Sequence, residues 1–125
     1  MSAAGVFVTG TGTEVGKSVV AATIARTAAS GGRSVAVFKP AVSGLDDEGE
    51  ADHELLRRAS GSAQSDDEIA PYRYGPPVSP HLAAELAGEE IDPARLRAAA
   101  AAAAEGADAL VCEGVGGLLV PLTRG

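Results

Sequence analysis

Gly5-Val6-Phe7-Val8-Thr9-Gly10-Thr11-Gly12-Thr13-Glu14-Val15-Gly16-Lys17-Ser18 is the stretch whose reading decides the fold. Its first five residues are β-branched, aromatic and small, and glycine bounds them. That pattern predicts a buried strand over residues 5–9. Gly10 to Gly16 reads as a Gly/Thr loop. From Lys17 to about Ala29 the pattern becomes helical, with Val19, Val20, Thr23, Ile24 and Thr27 spaced for one apolar face. A Gly-rich loop between a strand and a helix can cradle phosphate. Glycines let successive N–H groups turn inward, and the helix N-terminus adds partial positive charge. Lys17 can neutralise β- and γ-phosphates, and the Ser18 hydroxyl can ligate Mg²⁺. Five residues separate Gly10 from Gly16, one more than in the usual phosphate loop.

Outward from that loop, Gly31-Gly32 supplies a helix stop, and Ser34-Val35-Ala36-Val37-Phe38 predicts a second buried strand. Strand, helix and strand make a βαβ unit, which implies a parallel sheet with right-handed crossovers. Residues 39–50 read as a loop. A short helix over 51–59 ends at Gly61. Residues 62–80, with four prolines, read as an extended connection. His81 to Ala87 predicts a further short helix. Asp92-Pro93 is an N-cap with proline at the first helical position, and Gly106 marks the stop of a polyalanine helix. Ala109-Leu110-Val111-Cys112 predicts a third strand, and Leu118-Leu119-Val120 forms another apolar run. The expected class is α/β, a three-layer α/β/α arrangement with a mainly parallel sheet. Residues 1–125 are read as one domain without repeat or linker.

Composition excludes several functions. The chain has 125 residues, 10 Lys+Arg against 17 Asp+Glu, and a formal net charge of −7. That balance argues against nucleic-acid binding, which needs a basic face, and against docking on anionic membranes. The apolar tract at 98–104 is too short and too weakly hydrophobic to span a bilayer. The N-terminus lacks the basic region of a secretory signal. The single Cys112 excludes an internal disulfide. A cytoplasmic protein is expected. Alanine fills 26 positions and aromatics are 3% of the chain, so the core is expected to be thin.

Three further features lie at the ends of predicted strands or just beyond, where open α/β sheets bind ligands. Lys39, followed by Pro40, is either a second cation facing the phosphate crevice or a solvated strand-end lysine. Glu113-Gly114 is either the second acidic element of a phosphate-loop enzyme, reaching Mg²⁺ directly or through water, or a carboxylate beside a glycine turn. Asp52 is either a metal or water ligand or a first-turn acid answering the helix dipole. Asp46, Asp47, Glu48 and Glu50 read as a solvated charge run. His53 and His81 read as surface or packing histidines, and Cys112 as inert core.

These blocks together resemble dethiobiotin synthetase. The resemblance rests on residues 8–18, on Lys39-Pro40 with Ser43-Gly44, on Ser79-Pro80-His81, and on Glu113-Gly114-Val115-Gly116-Gly117 with Pro121-Leu122. It implies a phosphate-loop NTPase-like fold and an ATP- and Mg²⁺-dependent ligase. Such an enzyme carboxylates 7,8-diaminopelargonate with CO₂ and closes the ring to dethiobiotin. It further implies that Lys39 is catalytic, holding carbamate and γ-phosphate. Thr13, Glu14, Val15, Gly16, Lys17, Ser18, Val19, Asp52, Glu113, Gly114, Val115 and Gly116 would serve the nucleotide. Thr13 and Ser43 would lie near the substrate, and Ser18, Asp52 and Glu113 would ligate Mg²⁺. Ser18 stands where the family more often has threonine, and Val115 where a smaller residue is commoner. Family members are longer, with later segments that carry base contacts and part of a homodimer interface. The chain is therefore expected to be the N-terminal catalytic portion, incomplete at its C-terminus. Two alternatives are a partitioning or regulatory ATPase switch and another amide-forming synthetase of the same superfamily. The switch proteins usually carry a second lysine early in the loop, and Gly10-Thr11-Gly12 has none.

Overall fold

The computed structural model describes residues 4–8 and 17–114. The glycine loop and the apolar run at 118–120 lie outside the described residues. In chain order the elements are β1 (Ala4–Val8), α1 (Lys17–Ser30), β2 (Val35–Phe38), β3 (Ala41–Val42), α2 (Asp52–Ser60), α3 (Asp66–Ile69), β4 (Tyr72–Arg73), α4 (Pro80–Leu86), α5 (Pro93–Ala104) and β5 (Ala109–Glu113).

The main sheet has the order β1-β5-β2, and both pairings are parallel. Its register aligns Val8 with Glu113 and Phe38 with Cys112. The step from β1 to β2 passes over the position that β5 fills, and the step from β2 to β5 runs back. A right-handed return to β5 puts the helix that completes it, α5, on the face opposite α1, although α2 and α3 of the same connection stay on the α1 face. The α1 face carries the core, where Ala21, Ala22, Ala25, Leu56 and Ile69 pack with Val35, Val37 and Val111. Helix α5, in the returning crossover, touches β2 and β5. The result is the expected three-layer α/β/α arrangement.

Several elements depart from the sequence reading. In α1 the buried positions are Lys17, Ala21, Ala22 and Ala25, whereas Val19 and Val20 are exposed. Small side chains let α1 come close to α2 and the sheet, since interaxial distance is set by the residues at the contact. The valines were expected inside because hydropathy ranks them above alanine. Strand β1 is likewise not buried: Phe7 is 64% exposed, because β1 pairs on one side only among the described residues. The loop at 39–50 contains β3, which pairs in parallel with β4. The stretch at 62–80 contains α3, whose Ser65 and Glu68 form a reciprocal capping box. Helix α5 buries none of its residues and is held at its start by the Asp92 side chain, which accepts from the Ala94 N–H at 2.9 Å.

Among the described residues no strand pairs with the outer edge of β2. Instead the Val37 N–H donates to Gln64 Oε1 at 2.9 Å, and Gln64 Nε2 donates to the Val37 carbonyl at 3.0 Å. One residue beyond the strand, the Lys39 N–H donates to the Ile69 carbonyl at 2.9 Å.

Leu56 is fully buried between α1 and the sheet. A core already rich in alanine has little means to collapse around a cavity. Leu56→Ala should therefore lower stability by about 2–5 kcal/mol. Urea unfolding measures this, and a loss below about 1 kcal/mol would mean that Leu56 is not a keystone of the core.

Candidate active site

The parallel register brings three chain segments to one edge. β1, β5 and β2 all end there, and α1 begins there with Lys17 and Ser18. Lys39 follows Phe38 directly and so stands level with Glu113 on the neighbouring strand. Sequence distance is large, but the sheet makes these residues neighbours.

Lys39 is 4% exposed and Glu113 is 1% exposed. The Lys39 ammonium lies 3.3 Å from Glu113 Oε1 and 3.4 Å from Asp52 Oδ2. It also donates to the Gly114 carbonyl at 3.3 Å. The Ser18 hydroxyl donates to the same Glu113 Oε1 at 2.7 Å. One buried cation thus faces two carboxylates and a carbonyl. The other Glu113 oxygen, Oε2, is buried and without a hydrogen-bond partner among the described residues. Asp52 opens α2 and its side chain is 47% exposed, so this carboxylate forms the open side of the cluster. It is the first-turn acid of the helix and a partner of Lys39 at once.

Ser18, Lys39, Asp52, Glu113 and Gly114 therefore meet at one edge of the sheet. Lys17 is buried at the first turn of α1. Val19 is exposed in the same turn, and Ser43 is half-buried after β3. Thr13, Glu14, Val15, Gly16, Val115 and Gly116 lie outside the described residues.

Magnesium fits the donors present. It takes hard oxygen ligands and is usually held by one or two carboxylates, with water and phosphate completing its shell. Ser18, Asp52 and Glu113 offer oxygens of that kind, and Glu113 Oε2 is a buried acceptor left without a hydrogen-bond partner among the described residues. No group of three His, Cys, Asp or Glu able to hold a metal by itself occurs among the described residues.

The sequence did not single out the residues that hold the loop after Lys39. The Tyr74 N–H donates to Val42 O at 2.7 Å, Leu45 N–H to Tyr74 O at 3.1 Å, and Asp46 N–H to Gly75 O at 2.9 Å. Gly44 adopts φ +78°, a region that favours glycine, and its N–H donates to Pro76 O at 2.9 Å. A Cβ on Gly75 would collide with the Asp46 carboxylate. Asp46, read as part of a solvated charge run, thus also packs against this turn.

The histidines and the cysteine take packing roles. His53 is buried, with Nε2 3.5 Å from Asp66 Oδ1. Burial pulls its pKa below the ordinary histidine value, against the pull of Asp66. Asp66 also pairs with Arg57, which holds its carboxyl below the usual range. His81 lies 3.3 Å from Glu85 one turn along α4. Burial pushes the Cys112 thiol up.

A family model described as "AAA domain" matches residues 4–125. The chain is 46% identical over 119 residues to an ATP-dependent dethiobiotin synthetase BioD from Anaeromyxobacter dehalogenans, covering 95% of this chain and 53% of that protein. The enzyme of the same name from Nitrosospira multiformis is 42% identical over 118 residues, covering 94% of this chain and 52% of the relative. That of Rhodopseudomonas palustris is 45% identical over 121 residues, with 95% and 50% covered. The chain spans about half the length of the curated relatives it matches.

Proposed function

We propose that this chain, which belongs to the AAA domain family, is the phosphate- and carbamate-handling part of an ATP-dependent dethiobiotin synthetase. One observation carries the reading above all. A buried lysine at the end of β2 meets the β5 carboxylate, the first acid of α2 and the first-turn hydroxyl of α1 at one edge of the sheet. That arrangement suits a reaction in which anionic groups must be brought together and their charge held. The similarity to named dethiobiotin synthetases supports the same reading and favours it over a partitioning-type switch.

In the proposed reaction one amine of 7,8-diaminopelargonate takes up CO₂ as a carbamate and loses a proton. The carbamate oxygen attacks the γ-phosphorus of ATP, releasing ADP. The second amine then attacks the carbon of the resulting carbamoyl phosphate and loses a proton, and phosphate leaves as the ring closes. Lys39 holds carbamate and γ-phosphate together and offsets their mutual repulsion. Lys17 binds the phosphates, and Thr13, Glu14, Val15, Gly16, Ser18, Val19, Gly114, Val115 and Gly116 serve the nucleotide. Thr13 and Ser43 contact the diamine or its carbamate. Ser18, Asp52 and Glu113 hold Mg²⁺, which when bound neutralises phosphate charge. The 125 residues act as one domain portion. The enzyme works in the cytoplasm as a homodimer, without nucleic acid or membrane. No described helix is long and apolar enough to cross a membrane.

The test is ADP release by the full-length protein with 7,8-diaminopelargonate and bicarbonate, compared with cobyrinate-type carboxylic acids. Diamine- and bicarbonate-dependent ADP, with dethiobiotin identified by mass, is expected. ADP release that ignores the diamine, or follows the carboxylic acid, would refute the assignment.

A further inference from the structure

The Lys39 ammonium sits where a metal ion would find its ligands. It lies 3.4 Å from Asp52 Oδ2 and 3.3 Å from both Glu113 Oε1 and the Gly114 carbonyl. Two carboxylates face this one ammonium. A metal ion that took them while Lys39 stayed would share its oxygens with a second cation, which is costly where Lys39 and Glu113 are buried. Glu113 is 1% exposed and carries a buried, unpartnered Oε2. A small divalent cation therefore has an acceptor waiting beside the oxygen that Lys39 engages. Asp52, exposed on its outer side, is the carboxylate that can turn from one cation to the other.

We propose that Lys39 is an internal stand-in for the divalent cation: without metal it neutralises Asp52 and Glu113, and metal binding releases it from them. This rests on the reading of Ser18, Asp52 and Glu113 as the metal-holding residues. Its consequence is an order of events. The lysine that must engage the reacting anions becomes available only after the metal has taken its carboxylates. The stand-in also has a cost, since metal affinity without nucleotide is reduced by the competing ammonium.

The experiment needs no substrate. Mn²⁺ binding to the full-length protein, followed by electron paramagnetic resonance of the free ion, is compared with Lys39→Met, which keeps the length of the side chain but not its charge. Lys39→Met should bind Mn²⁺ roughly tenfold more tightly or better, as removal of a charge in contact implies. A second measurement covers the case in which that variant folds poorly. In the wild-type protein, Mg²⁺ should increase acylation of Lys39 by acetic anhydride, read peptide by peptide in a mass spectrometer. Unchanged or weaker Mn²⁺ binding by a folded Lys39→Met overturns the proposal. So does Lys39 acylation that Mg²⁺ leaves unchanged or lowers. Asp52→Asn and Glu113→Gln separate this from the underlying reading. If both bind Mn²⁺ as the wild type does, the metal assignment falls and the stand-in with it. If both lose Mn²⁺ while Lys39→Met gains nothing, only the stand-in falls.

Discussion

Lys39→Ala should abolish diamine-dependent ADP formation in the full-length protein. Lys39 is buried at the strand end, where its ammonium meets Asp52 and Glu113. Losing a preorganised donor aimed at developing charge lowers kcat by about 100- to 1000-fold, and here the donor is also a full charge. Steady-state assays with and without diamine measure the effect. Nucleotide affinity, measured by calorimetry, should fall far less than kcat. Turnover near the wild-type rate would remove Lys39 from the mechanism.

The second large effect should come from Glu113→Ala. This residue accepts from Ser18 and pairs with Lys39 while almost wholly buried. Its removal leaves a buried ammonium with only the half-exposed Asp52 and a carbonyl, and leaves the Ser18 hydroxyl without its acceptor. Breaking one side of a buried pair costs about 3–5 kcal/mol. Chemical denaturation should show that loss together with a loss of Mg²⁺-dependent activity. Glu113→Gln divides the two effects. It keeps the volume and an oxygen for Ser18 but not the charge facing Lys39, so stability should fall by the charge-pair part alone, whereas activity should fall as far. Equal stability losses for Ala and Gln would mean that charge, not packing and hydrogen bonding, dominates the Glu113 contribution.

The α/β class was legible in the sequence, and so was the placing of the candidate site residues at element ends; the strand order was not. Ser18, Lys39, Asp52 and Glu113 each stand at or near the end of an element, and the parallel sheet that βαβ units imply brings such ends to one edge. The insertion of β5 between β1 and β2 was not legible, because local pattern records which residues form strands and not which strands adjoin. The face of α1 was misread because valine outranks alanine in hydropathy, while closeness of packing favoured Ala21, Ala22 and Ala25. The exposure of β1 follows from its place in the strand order. Gln64 and Gly75 went unnoticed because their partners, Val37 and Asp46, lie 27 and 29 positions away and share no motif with them.

The hydrogen bonds of Gln64 make the sheet one-ended. An open strand edge is a template that any extended chain can join, and proteins must manage it. On β2 that template is consumed: a primary amide mimics one peptide unit of a neighbouring strand, and the Ile69 carbonyl takes the next free N–H. A chain arriving at this side finds no donors or acceptors to pair with at Val37. The other outer edge of the sheet, along β1, has no strand beside it among the described residues. The terminator is also self-limiting, since a glutamine side chain offers no onward N–H and C=O ladder of its own.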